Sequence, residues 1–373
     1  MTGDEIPEPD CAKGAPHPRE TPQLLGQSGA ENTFLQAFNS SRLHHAWLIV
    51  GPRGVGKATL AWRIARFMLV QSEAGGGFFG EAPAAPETLD TDPNHPAVRR
   101  SHSLGEPRLT LCRRPWDPKA KRLKTAITVE EIRKLKSFFT LSAADGGWRI
   151  AIIDAADEMN TSAANALLKV LEEPPAKTLI LLISHQPAQL LPTIRSRCRD
   201  LRCASLSTQD QAAALQQAGF EAGTNASALS VLSDGSVGEA IRLINADGVT
   251  LYERLTALAA TAPGLDRTAA LSLANKCAGR DAAPFYDITI HLVSLLLARL
   301  ARYGALQPSV WVEAAHGEAL ILAKLAPNAQ AARKWANLAQ KLTARVSHAR
   351  AVNLDPSSVI LDMLLQLDET ARK

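Results

Sequence analysis

Residues 45 to 67, "HAWLIVGPRGVGKATLAWRIARF", restrict the fold of this chain more than any other stretch. An apolar run leads into Gly51, Gly56 and Lys57 at the spacing G-x-x-x-x-G-K, with Gly54 inside the loop, and a helical pattern follows. A buried strand, a glycine loop and a helix in that order make a phosphate cradle. Loop amides and the helix N-terminus offer donors and positive dipole, and Lys57 adds a point charge. The next residue should carry a hydroxyl for the Mg²⁺ of a bound triphosphate. Here it is Ala58, with Thr59 one place late.

A nucleotide site of this kind needs an acidic strand end as well. "RIAIIDAADEMN" supplies Asp154 at the carboxyl end of an apolar run, but the following residue, where a carboxylate would activate water, is Ala155. Asp157 and Thr59 fall off the required face, so neither replaces the lost groups. Hydrolysis by this chain is therefore not expected. A third apolar run, "TLILLIS", ends on Ser184 and His185, a polar tip placed to sense a γ-phosphate. Beyond it Ser196, Arg197 and Cys198 close a short helix.

Apolar runs alternate with helical patterns from residue 23 to about 205, which predicts an α/β domain with a mostly parallel sheet. "TVEEIRKLKSFF" opens with Thr128 and Glu131 as a capping box and lines Ile132, Leu135 and Phe139 along one face. Residues 1–22 are acidic and proline-rich and read as a disordered leader without a signal-peptide core. The Gly/Pro/Ala-rich residues 72–98 read as a flexible insertion. "RRSHSLGEPRLTLCRRPWDPKAKRLK" follows and is strongly basic; it suits either a solvated loop containing one strand or a patch that contacts phosphates. After residue 205 strand signals stop. A small helical unit is expected over 206–246 and a larger all-α domain over 250–373.

Net charge is only +4, so nucleic-acid binding would need a local patch. Cys11, Cys112, Cys198, Cys203 and Cys277 show no paired spacing and read as free thiols of a reducing cytoplasm. "ITIHLVSLLLARLARYGAL" comes nearest to a membrane span, but Arg299 and Arg302 interrupt it, and no membrane association is expected.

The run Ala164 to Pro175, "ANALLKVLEEPP", with "PTIRSRC" downstream and "LHHAWLIVGPRGVGKATLA" upstream, closely resembles the clamp-loader branch of the AAA+ proteins over about residues 24 to 245. The resemblance implies a P-loop AAA+ domain, a helical lid and a helical collar. It implies Gly51, Gly54, Gly56, Lys57, Ala58, Thr59, Asp154 and His185 as the nucleotide-site positions. It makes Ser196, Arg197 and Cys198 an arginine-finger motif that reaches ATP on a neighbouring subunit. Active members of the branch carry a hydroxyl, an acidic pair and a lid arginine where this chain has Ala58, Ala155 and, within "DGSVGEAIRL", Gly238. That pattern implies a non-hydrolysing subunit partnered by gamma or tau and delta subunits, acting through the complex on a sliding clamp and primer–template DNA. Relatives hold a four-cysteine zinc between the P-loop helix and the next strands; with only Cys112 there, beside His95 and His102, no zinc is expected. No cofactor is required, although weak ATP or ADP binding is compatible with the intact loop. An active gamma-type ATPase, a P-loop phosphotransferase and a regulatory module outside replication are the rival readings.

Overall fold

Five strands form the sheet, apolar where both faces are buried as in a parallel sheet, and polar at the edge over 199–202, where only Leu201 is buried. They are β1 (Ala46–Val50), β2 (Leu109–Cys112), β5 (Arg149–Asp154), β6 (Thr178–Ser184) and β7 (Arg199–Arg202), hydrogen-bonded in the order β2-β5-β6-β1-β7. Every pairing is parallel. The two-residue strands β3 (Trp116–Asp117) and β4 (Arg122–Leu123) form a separate antiparallel ribbon after the edge strand β2. This is the computed structural model of the chain, which describes residues 8–40, 42–74, 85–140, 147–279 and 282–373.

The period of two along each strand divides the side chains between two layers. Trp47, Ile49, Ile150, Ile152, Leu179, Leu181 and Ile183 join one core with α1 (Ser28–Asn39) and α2 (Lys57–Ala74). Ala46, Leu48, Ala151, Ile153, Ile180 and Leu182 join the other with α4 (Val129–Thr140) and α5 (Thr161–Glu172). Ile132, Leu135 and Phe139 bury the expected face of α4. The short helices α3 (Pro96–His102) and α6 (Pro192–Arg195) and the helix α7 (Thr208–Gln217) complete the first unit, residues 1–220 with 235–238.

The second unit, residues 221–234 with 239–373, is helical: α8 (Ala226–Ser233), most of α9 (Val237–Asn245), α10 (Gly248–Ala260), α11 (Arg267–Lys276), α12 (Ala283–Leu306), α13 (Glu318–Leu325), α14 (Ala329–Ala351) and α15 (Pro356–Arg372). The chain thus divides differently from the expected three parts. Helix α7 belongs with the sheet, α8 and most of α9 belong with the C-terminal helices, and 235–238 return to the first unit. By length and composition α12 could cross a membrane, contrary to expectation. Its Leu292, Val293, Leu296, Leu297 and Leu300 instead enter the core that holds Trp335 and Leu342 of α14.

Two expectations of disorder need correction where they fall on described residues. Residues 8–22 pack against the first unit. His17 is buried with its ring edge-on to Trp62, centroids 6.2 Å apart, and Arg66 Nη1 donates to the Arg19 carbonyl at 2.6 Å. Glu8 and Asp10 pair with Arg113. In the 72–98 segment Leu89 is buried, Asp90 pairs with Arg63 at 2.8 Å, and Pro96 starts α3. Low hydrophobicity misled in both places, because arginines on α2 and after β2 supply the partners that composition does not reveal. Residues 1–7 and 75–84 of those expectations lie outside the described residues.

Candidate functional site

The glycine loop lies between β1 and α2, as its sequence requires, and α2 begins at Lys57 itself. The Lys57 side chain is buried at 3% exposure, and its ammonium turns back on its own loop. Nζ donates to the Gly51 carbonyl at 2.7 Å and also to the Pro52 carbonyl. Burial brings its pKa down to about 8, against the opposing pull of Cys203 and Asp154. Two carbonyl oxygens of its own loop therefore engage this charge.

The loop is also covered. The Gly238 amide donates to the Gly54 carbonyl at 3.0 Å, and Ser236 Oγ donates to the Arg53 carbonyl at 2.7 Å. Gly54 sits at φ +78, and a Cβ there would lie 2.5 Å from Ser236 Oγ and 2.8 Å from the Gly238 nitrogen. A Cβ on Gly238 would in turn lie 3.0 Å from the Gly54 Cα. An arginine at 238 has no room while these two backbones touch. Sequence reasoning identified the missing arginine but missed Ser236 and the closure it makes, since nothing local marks a serine as bonding to a loop far away in the chain.

Asp154 ends β5 at 7% exposure, with Ala155 buried beside it. Burial first and the Asp10 charge second push the Asp154 carboxyl up to about 7, with Lys57 opposing. The N-terminal segment thus brings a second carboxylate into the field of this strand end. Thr59 is buried within α2, and Asp157 accepts the His185 amide at 2.9 Å, so neither stands in for the missing ligands. Burial, with Lys57 next, brings the His185 imidazole down to about 4, so it is neutral near pH 7. A hydroxyl and a second carboxylate are absent at 58 and 155, and this donor set does not fit a Mg²⁺-bound triphosphate.

Arg197 follows α6 in the chain. Its Nη1 donates to the Thr193 carbonyl at 2.9 Å, and Nη2 pairs with Glu172 Oε1 at 2.8 Å, leaving the side chain 35% exposed. Glu172 belongs to the "LLKVLEEPP" run; its role as a rest for this guanidinium was not legible in the sequence. Ser196 Oγ also turns to the Thr193 carbonyl, at 3.1 Å, and Cys198 is a mostly buried thiol pushed up to about 12 by burial. Cys112 is likewise buried, and His95 caps α3 by accepting the Ala97 amide at 3.3 Å. Among the described residues no three His, Cys, Asp or Glu side chains are grouped to hold a metal.

A parallel sheet in this order, with the glycine loop between its β1 strand and a helix, defines a P-loop protein of the AAA+ class. Residues 26–207 match the sequence profile of the family described as "DNA polymerase III, delta subunit". The chain is 39% identical to the DNA polymerase III subunit delta' of Pseudomonas aeruginosa over 159 residues, 43% of each chain. It is 27% identical to the subunit delta' of Escherichia coli over 340 residues, 90% of this chain and 92% of that one. It is 28% identical to the subunit gamma of Buchnera aphidicola over 232 residues, 61% of this chain and 58% of that one. The first two relatives, from Pseudomonas aeruginosa and Yersinia pestis, are matched over 43% of their own length. Over residues 26–207 the chain is thus similar to the clamp-loader subunits of DNA polymerase III.

Proposed function

We propose that the chain is a delta-prime-type clamp-loader subunit that does not hydrolyse ATP and lends Arg197 to ATP on a neighbouring gamma or tau subunit. One observation carries the reading. The triphosphate ligands are missing at Ala58 and Ala155 and the loop is closed upon itself, while Arg197 stands partly exposed on a weak surface pair. Its guanidinium can leave Glu172 at small cost, because exposed ion pairs contribute about 0–1 kcal/mol. Planar multidentate donation then neutralises charge developing on the neighbour's γ-phosphate. With delta and the gamma or tau subunits, the chain takes part in placing a sliding clamp on primer–template DNA, in a cytoplasmic setting. Nucleotide affinity at its own loop is weak and depends little on Mg²⁺.

The test is reconstitution with gamma or tau and delta subunits. Arg197→Ala should leave assembly intact and lower DNA-stimulated ATP hydrolysis and clamp loading, with other active sites hiding part of a loss that reaches about 10³-fold or more at a single site. Arg197→Lys should rescue poorly, since an ammonium lacks the guanidinium fork. Unchanged rates for the Arg197→Ala complex would overturn the assignment. Turnover by the isolated chain that Lys57→Ala abolishes would instead mark a gamma-type ATPase.

A further inference from the structure

We propose that the ribbon of β3 and β4, with the residue after it, is a binding site for the phosphodiester backbone of nucleic acid. The basic stretch around it divides sharply in the structure. Arg100 and Arg108 pair with the buried Glu106, Arg113 with Glu8 and Asp10, and Arg114 with Glu158. Those arginines hold the fold together. Lys119, Lys121, Arg122 and Lys124 are all exposed, and among the described residues none has a carboxylate within ion-pair distance.

The one acid of the ribbon, Asp117, lies in the field of Lys124 and Arg122 but makes no ion pair with either and is turned to the backbone. Asp117 Oδ1 accepts the Lys119 and Ala120 amides at 2.9 and 3.1 Å, which fixes the turn and holds its carboxyl below the usual range. On the neighbouring α4, Glu130 lies within the field of Lys124, but Arg133 stands beside it.

Register gives the cations a direction. Trp116 is opposite Leu123 and Asp117 opposite Arg122, and the Lys124 amide extends the ladder to the Pro115 carbonyl at 2.9 Å. Arg122 and Lys124, two residues apart, therefore share one face, spaced by roughly 7 Å along the strand. Lys119 and Lys121 lie within the turn between the two strands. Lys121 sits at φ +47, a conformation that glycine or asparagine adopts more easily, so a long cation is kept where the backbone favours another residue. The ribbon is presented from a firm base, because Arg113 and Arg114 anchor the chain just before it. Four exposed cations without an ion pair among the described residues suit a repeating anion rather than a single small ligand.

The experiment is fluorescence anisotropy of the isolated full chain with labelled random-sequence duplex and single-stranded oligonucleotides across 50 to 200 mM salt. It reads neither assembly nor ATP turnover, so its outcome is independent of the clamp-loader assignment. If all four cations meet phosphates, Lys119→Gln/Lys121→Gln/Arg122→Gln/Lys124→Gln reduces the slope of log affinity against log salt by about 3–4 on duplex or about 3 on single strand. Which slope changes identifies the form of nucleic acid bound. The charge-preserving Lys119→Arg/Lys121→Arg/Lys124→Arg chain keeps its affinity. Removing four exposed cations of the second unit, Arg254→Gln/Arg267→Gln/Lys276→Gln/Arg302→Gln, leaves the slope in place. An unchanged slope in the ribbon variant, or an equal fall in the second-unit variant, overturns the proposal.

Discussion

Asp154 and Lys57 show how burial weighs on single residues. The Asp154 carboxyl titrates near 7 in the folded chain against 3.8 in its ordinary state. Between those values the folded state holds more protons than the unfolded one. The stability Asp154 contributes is thus fully present below about pH 4 and is lost as pH rises through 7. Asp154→Asn should therefore raise stability by roughly 2–4 kcal/mol at pH 8, with the gain vanishing toward pH 4. Thermal melts of both chains across that range check it; equal melting temperatures at pH 8 contradict it. Lys57 has the opposite sign: a folded value of about 8 against 10.5 means its penalty is present below 8 and lifts as pH rises toward 10.5.

At the scale of elements, the closure of the glycine loop is a backbone-to-backbone contact between residues 53–54 and the first turn of α9. It depends on two glycines, since a Cβ at either would meet the other strand of chain within 3.0 Å. Gly238→Arg should separate the two segments and destabilise the first unit by about 1–3 kcal/mol, as overpacking commonly does. Amide exchange in 53–56 and 236–240 should quicken while ATP turnover stays at background, because Ala58 and Ala155 remain. Unaltered exchange in both segments would count against the closure.

For the molecule as a whole, each unit has its own core, and the second is fastened by one buried charge cluster. Glu318, fully buried, accepts from Tyr252 at 2.6 Å, from Arg299 at 2.6 and 2.7 Å, and from the Ala314 amide at 2.7 Å. Arg299 also lies over the Trp311 ring, 4.9 Å from its centroid. Removing the carboxylate leaves a mostly buried guanidinium without its partner, so Glu318→Ala should cost about 3–5 kcal/mol. Calorimetry should show the loss, with exchange quickened in α10 and α12 and not in the sheet. A melt like that of the unaltered chain would show that Arg299 finds other partners.

The sequence alone determined what depends on neighbours along the chain. Apolar runs made β1, β5 and β6, glycine spacing made the loop, and the sequence placed Ala58, Ala155 and Gly238 where a hydroxyl, a carboxylate and an arginine were looked for. These follow from local rules of period and chemistry. Tertiary structure decided whatever depends on a distant partner: that Lys57 folds back on Gly51 and Pro52, that Ser236 and Gly238 close on the loop, that Glu172 holds Arg197, and that residues 8–22 pack rather than wander. It also sorted the basic stretch, engaging Arg100, Arg108, Arg113 and Arg114 and leaving four cations on the ribbon. Charge along a sequence does not say which acid a cation will reach, because that distance is fixed only when the chain folds.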